Sequence, residues 1–396
     1  MSFLLGVVIF VFALLVSVML HEAGHFLTAK KFHMKVTQFF VGFGQTLYSR
    51  MRGETEYGVK ALPFGGFVKI TGMTALEEVD PADEPRSFRR KPGWQRAIVL
   101  LAGSFMHFLL AFVLLFLVAV AIGVSGTNTI GVTRCVPHSV KAMDSLTPCV
   151  NAVQPSSPAE RAGIRANDKI VSIAGRPVTN WTQIGDVIKG QAVGKPVPVV
   201  VDRGGRDLTL TITPAAVPGR KGAFLGIQEK PFIRLGPFSS VAYAGSTFGE
   251  VLDLSGQAAA KLPAALPDLF RANRSKTAGG DVSSVIGAAD DAGQVVEAGG
   301  GWQYTVSALL LIVISLNIFV GAFNLLPLLP LDGGHLAVVI YERIRAWLAR
   351  LRGRPDPGLV DMQKLIPVSV GVFALLVGLG LVLIAADIFN PVHLTQ

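Results

Sequence analysis

The sequence predicts an α-helical polytopic membrane protein of about four transmembrane helices. It adds a small cytoplasmic or membrane-embedded β-hairpin and an extracytoplasmic α+β domain. Three observations lead there. Of 396 residues, 51% are hydrophobic and only 16% charged, and the mean hydropathy is +0.51, too apolar for a soluble chain of this length. The apolar residues gather in four stretches: Phe3 to about Ala29, Ile98 to about Val124, Val306 to about Leu329, and Ile366 to about Phe389. Each can cross roughly 30 Å of hydrocarbon at ~1.5 Å per residue. Two of the inter-span loops are rich in basic residues, one holding Lys30, Lys31, Lys35, Arg50, Arg52, Lys60, Lys69, Arg86, Arg89, Arg90 and Lys91, the other Arg343, Arg345, Arg350, Arg352 and Arg354.

The placement of charge sets the topology. By the positive-inside rule both basic loops are cytoplasmic, so the N-terminus, the long middle segment and the C-terminus lie outside. The net charge of +9 follows the membrane edges, which argues against nucleic-acid binding. The expected organisation is span one at 1–29, a cytoplasmic loop with the hairpin at 30–95, span two at 96–124, an outer domain at 125–215, and a juxtamembrane helical segment at 216–301. Span three follows at 302–335, a basic cytoplasmic loop at 336–362, and span four at 363–390. Span one lacks a basic n-region and an A-x-A site, so it reads as a retained span and not a cleaved signal.

Span one ends in His21-Glu22-Ala23-Gly24-His25. In a helix, i and i+4 share a face, so both imidazoles of this H-E-x-x-H motif can hold one metal ion, with Glu22 placed as a general base toward a water there. Ionisable groups at the end of a membrane span are costly unless they face a protein interior and function there. His25 lies five residues before Lys30, roughly 7–8 Å inside the cytoplasmic boundary. Tetrahedral zinc in a hydrolase usually takes three protein ligands plus water, so a third ligand is required at the same depth.

The following loop contains Gly42-Phe43-Gly44 and then Gly58 to Ile70, where two strand-like runs flank Pro63-Phe64-Gly65-Gly66. This reads as a β-hairpin or small sheet with its turn at that tetrad. Its strand edge, with Gly65, Gly66 and Phe67, is the candidate holder of an extended substrate. The acidic run Glu77 to Pro85 reads as a solvated loop. His107, inside span two, reads as an interhelical hydrogen-bonding group, with a role near the metal as the minor alternative.

The outer segment opens with the only two cysteines, Cys135 and Cys149. An oxidising compartment favours a disulfide between them, worth ~3 kcal/mol in the chain-entropy view. The stretch from Ser156 to Ile212 then gives a short helix, a strand at Lys169–Ile173, an Ala174-Gly175 turn, an amphipathic helix near 181–189, and strands around the Arg203-Gly204-Gly205-Arg206 turn. This order resembles a PDZ domain, a module that adds a peptide to a sheet edge. Residues 237–268 look helical and mildly amphipathic, and 271–301 reads as loop with short helices.

Span three shares its direction with span one and ends in Asn324-Leu325-Leu326-Pro327-Leu328-Leu329-Pro330-Leu331-Asp332-Gly333-Gly334-His335. The prolines break the helix and free backbone groups. Asp332 then sits on the same membrane face as His21 and His25 and is the preferred third ligand. His335 competes, and spacing alone does not decide between them.

Together, His21-Glu22-x-x-His25, Gly42-x-Gly44, Pro63-x-Gly65-Gly66, one PDZ-like domain and Asn324-x-x-Pro327-x-x-x-x-Asp332-Gly333 resemble the site-2 protease family of intramembrane metalloproteases, peptidase family M50. The resemblance covers nearly the whole chain and is strongest to actinobacterial regulators of intramembrane proteolysis with a single PDZ domain. One departure is visible. Where relatives often have Ala-Gly-Pro-x-x-Asn in span two, this chain has Ala102-Gly103-Ser104-Phe105-Met106-His107.

The resemblance implies one Zn2+ per chain and cleavage of transmembrane segments within the bilayer of a cell membrane. Substrates would be single-pass proteins of the anti-sigma factor type, already cut outside by an upstream site-1-type protease. Asn324 and Pro327 would help bind substrate. Two rival readings are a catalytically inactive PDZ-containing scaffold, against which the intact Glu22 argues, and a metal transporter, against which the lack of an internal repeat argues.

Overall fold

The computed structural model describes residues 2–73, 77–124, 150–153, 157–165, 168–179, 183–184, 187–188, 190, 193–216, 223–229, 234–271, 274, 283–298 and 302–390. The described residues form two compact units, one of 1–112, 252–299 and 308–396, the other of 113–251 and 300–307. Among the described residues, four helices are long and apolar enough to cross a membrane, Phe3–Lys31, Gly93–Ile122, Thr305–Asn324 and Met362–Phe389. Cys135 and Cys149 lie outside the described residues.

The first unit begins with α1 (Ser2–Lys31). Strands β1 (Val36–Arg52) and β2 (Thr55–Ile70) follow, then α2 (Gly93–Leu117), whose residues from Val113 on, with the π-turn over Val118–Ile122 that continues it, belong to the second unit. β1 and β2 are joined at Gly53-Glu54, and not at the Pro63–Gly66 tetrad, which falls inside β2. The sheet nevertheless folds on itself at that tetrad. Residues 36–41 pair with 66–70 on one side, while 38–41 also align with 56–59 on the other, and 46–52 pair with 55–60. Both ribbons therefore bend where Gly42 (φ 82°) and Gly65 (φ 87°) adopt left-handed backbone, which residues with a Cβ rarely adopt. The result is a small four-segment sheet, with 66–70 at one edge and 46–52 at the other. Its core side, with Val36 and Ile70, packs against Ala29, Met34, Val99 and Leu100.

The acidic run after the sheet is a largely exposed loop, as expected, and its carboxylates Asp83 and Glu84 are paired. Lys35 Nζ reaches Asp83 at 2.5 Å, and Glu84 takes a bidentate pair from Arg89. Glu54, at the β1–β2 tip, accepts from both Lys30 and Arg86 at 2.7 Å, tying the tip to the end of α1.

The second unit carries the α+β domain expected between spans two and three. β3 (Val150–Val153) precedes α3 (Pro158–Arg161), where Ser157 Oγ caps Glu160 N–H. Strands β4 (Lys169–Ile173), β5 (Arg176–Pro177), β6 (Val197–Arg203) and β7 (Arg206–Ile212) make a sheet of order β5-β4-β6-β7. The pairs β8 (Ala215–Ala216) with β9 (Ala223–Phe224), and β10 (Ile227–Glu229) with β3, complete it. The domain thus runs past the expected end at 215, because β10 supplies the partner that β3 needs. Ile164, Ile170, Ile173, Val199, Val201, Ile212 and Leu225 form its core. Of the expected helix at 181–189, residues 183–184 and 187–188 are helical and the rest lies outside the described residues.

Helix α4 (Pro237–Ala265) meets the expected helical stretch. In the first unit, α5 (Val285–Ala298) packs on α1. A Cβ on Gly6 would lie 2.3 Å from the Ala292 carbonyl oxygen, and one on Gly293 2.4 Å from the Phe3 ring. α6 (Trp302–Asn324) stops before Pro327, and α7 (Asp332–Leu351) begins at Asp332, so the expected span three at 302–335 is two elements. α7 also replaces much of the expected basic loop at 336–362. Its arginines mask a helical period in which Val339, Glu342 and Ala346 face inward. Arg96 pairs with the buried Glu342 at 2.7 Å. In α8 (Ile366–Phe389), Asp387 pairs with the fully buried Arg274 at 2.6 Å.

Candidate metal centre

The site is assembled from α1, α2, α7 and the edge of β2. On α1, the i, i+4 spacing brings His21 Nε2 to 3.1 Å from His25 Nε2. Both rings are buried. The loop between α6 and α7 delivers Asp332, whose Oδ2 lies 3.3 Å from each of these nitrogens. His335, the competing candidate, turns away: its Nδ1 is 3.1 Å from the Leu331 carbonyl, and among the described residues only His21, His25 and Asp332 form a metal-ligand group.

The spacing fits a metal. Two donors ~2.0–2.1 Å from one tetrahedral zinc stand about 3.3 Å apart, close to the separations found. Asp332 Oδ2 and His21 Nδ1 are buried with no hydrogen-bond partner, a cost of roughly 1–3 kcal/mol each if nothing binds them. His25 Nδ1 donates to the Val99 carbonyl on α2 at 2.7 Å, which leaves Nε2 free for an ion, as metal-binding histidines usually arrange.

Glycine makes the approach of α2 possible. A Cβ at Gly103 would lie 2.5 Å from both His21 Cε1 and His25 Nε2, inside the space the ligands occupy.

Glu22 is held beside this group by the sheet, where its Oε2 accepts the Val68 backbone N–H at 3.0 Å. The edge segment 66–70 therefore runs along α1. Gly66 is packed so closely that a Cβ there would meet Met19 Sδ at 2.5 Å, and Gly65 faces Phe43 and Val18. Phe67 stacks on Phe40 with ring centroids 5.6 Å apart. The tetrad thus lies near the motif as a sheet bend rather than a hairpin tip. Asn324 closes α6 half-buried, and Pro327 is exposed in the loop that leads to Asp332.

The sequence reading missed Ser17 and Asn317. Asn317 Nδ2 donates to Ser17 Oγ at 2.9 Å and to the Val313 carbonyl at 2.8 Å, while Oδ1 meets His107 Nδ1 at 2.8 Å. An amide inside an apolar span is itself a signal, because it needs a partner from another helix.

A family model described as Peptidase family M50 matches residues 9–354. Zinc metalloprotease Rip1 of Mycobacterium tuberculosis is 36% identical over 420 residues, covering 100% of this chain and 100% of that protein. Zinc metalloprotease Rip1 of Mycolicibacterium smegmatis is 34% identical, again with 100% of each covered. Regulator of sigma-E protease RseP of Salmonella typhimurium is 26% identical over 87% of this chain and 92% of its own length. Among solved structures, the PDZ domain of the SdrC-like protein from Listeria monocytogenes is 23% identical, with a TM-score of 0.20, over 21% of this chain and 85% of that one.

Proposed function

We propose, from the premise that this chain belongs to peptidase family M50 and is a zinc metalloprotease, that it cuts single-pass membrane proteins within their transmembrane segments. One observation carries the reading. His21 Nε2, His25 Nε2 and Asp332 Oδ2 converge at 3.1–3.3 Å, and the first two stand on a helix apolar enough to cross a membrane.

His21, His25 and Asp332 would hold the zinc. When bound, zinc supplies Lewis acidity that polarises a scissile carbonyl and eases deprotonation of water. Glu22 takes the proton of the attacking water and passes it to the leaving amine, the usual general acid–base cycle. A helical substrate hides its carbonyls in its own hydrogen bonds, so it must first be unwound. The 66–70 edge of β2, joined to Glu22 through Val68, is suited to pair with an extended backbone. Asn324 and Pro327, at the end of α6, supply polar and rigid backbone contacts to the same peptide.

The positive-inside rule puts the centre near the cytoplasmic face, with both termini and the PDZ-like domain outside. The relative named for sigma-E regulation supports anti-sigma factors as substrates, first trimmed by an upstream protease.

The test is mass spectrometry of products from a single-pass peptide incubated with purified enzyme in detergent or proteoliposomes. The expected cut falls inside the apolar segment and is blocked by a zinc chelator. Cleavage only in the flanking soluble residues would overturn the intramembrane reading.

A further inference from the structure

Three buried polar groups that the proposed chemistry leaves idle, Ser17, His107 and Asn317, meet at His107. Asn317 Nδ2 gives its hydrogens to Ser17 Oγ and to the Val313 carbonyl. The second acceptor is fixed, because a backbone carbonyl cannot donate. Asn317 therefore presents Oδ1, not its NH2, to His107. The ring nitrogen at 2.8 Å, Nδ1, must then carry the proton, and in the neutral imidazole Nε2 is left as an acceptor.

A matching donor lies next door. With His21 Nε2 directed at the ion, its Nδ1 carries a proton, and that Nδ1 is buried with no partner. The rings of His21 and His107 are 5.0 Å apart, centroid to centroid, and inclined by 45°. The other ligand imidazole already has its outer acceptor in Val99; His21 has none on the backbone. We infer that His107 is a positioning residue that accepts the outer N–H of His21, directly after a small ring rotation or through one water, with its tautomer set by Asn317. Ser17 on α1, His107 on α2 and Asn317 on α6 would then form one relay that fixes a metal ligand across three helices.

The inference rests on the metal reading above, so the test separates the two. Zinc affinity is measured by chelator competition on purified full-length protein, together with the visible absorption of the cobalt-substituted form. His107→Ala, or His107→Phe if the alanine variant fails to fold, is expected to weaken zinc binding about 10- to 100-fold, the range for loss of an outer partner, and to shift the cobalt bands. Asn317→Ala should weaken binding in the same direction, and the double variant should lose no more than His107→Ala alone. His21→Ala is the control. If it keeps zinc, the metal reading itself fails. If it loses zinc while His107→Ala and His107→Phe both bind within about twofold of wild type with unchanged cobalt bands, the relay is wrong and the metal site stands.

Discussion

Glu22 and Val68 are joined by a hydrogen bond of 3.0 Å, from backbone N–H to Oε2. The candidate base is thus registered against the strand edge proposed to hold substrate. A displacement of that edge should change catalysis without touching the metal.

Gly66→Val makes this displacement. Its Cβ would overlap Met19 Sδ and the Phe40 carbonyl, at 2.5 and 2.8 Å, and push β2 off α1. Zinc content is expected to hold while kcat/KM falls about 100-fold, the scale of a misplacement near 1 Å. Wild-type kcat/KM in this variant would remove the 66–70 edge from the mechanism.

Gly103→Ala reaches the ligands instead. The added methyl would sit 2.5 Å from His21 Cε1 and His25 Nε2, so zinc and activity should fall together while helix content by circular dichroism stays the same. Retention of stoichiometric zinc would show that α2 can retreat from the site.

Much of the centre was legible in the sequence because its signal is local. The i, i+4 histidines need only a helix, and the proline break marks where Asp332 can leave the span. The sheet was only half legible. The local pattern places the hairpin turn at Pro63–Gly66, but the partners of 66–70 lie some thirty residues back in β1, and pairing across that distance leaves no local pattern. α7 was hidden by its arginines, which outweigh the helical period of Val339, Glu342 and Ala346. The His107–Asn317–Ser17 contacts join three helices and could not be read from one.

Glu342 anchors α7, the helix that begins at Asp332. Its pairing with Arg96 at 2.7 Å is buried on both sides, and it also accepts Val360 N–H at 2.8 Å. Glu342→Ala leaves Arg96 unpaired and should cost about 3–5 kcal/mol. Adding Arg96→Met should recover most of that loss, as read by unfolding in detergent. No recovery would mean that the carboxylate acts through Val360 rather than through the ion pair.

Glu54 gives a pH dependence. Hydrogen bonds from Arg86 and Lys30 lower its pKa from 4.5 to about 2. A depressed carboxylate stabilises the fold fully above its unfolded value, and the stabilisation is lost as pH falls through the folded value. Wild type should therefore exceed Glu54→Gln in melting temperature above about pH 5, by the equivalent of ~1 kcal/mol or less given its exposure, and the gap should close between pH 4.5 and 2. A gap that persists at pH 2 would assign the effect to shape rather than charge.

The most direct measurement is zinc stoichiometry paired with cleavage of a single-pass peptide, for wild type, Glu22→Gln, Asp332→Ala and His335→Ala. Because Glu22 is proposed as a base and not a ligand, Glu22→Gln should keep about one zinc per chain and lose cleavage by at least about 100-fold. Asp332→Ala should lose both zinc and cleavage, and His335→Ala should keep both. Full zinc in Asp332→Ala with zinc lost in His335→Ala, or near-normal cleavage by Glu22→Gln, would contradict this assignment of the site.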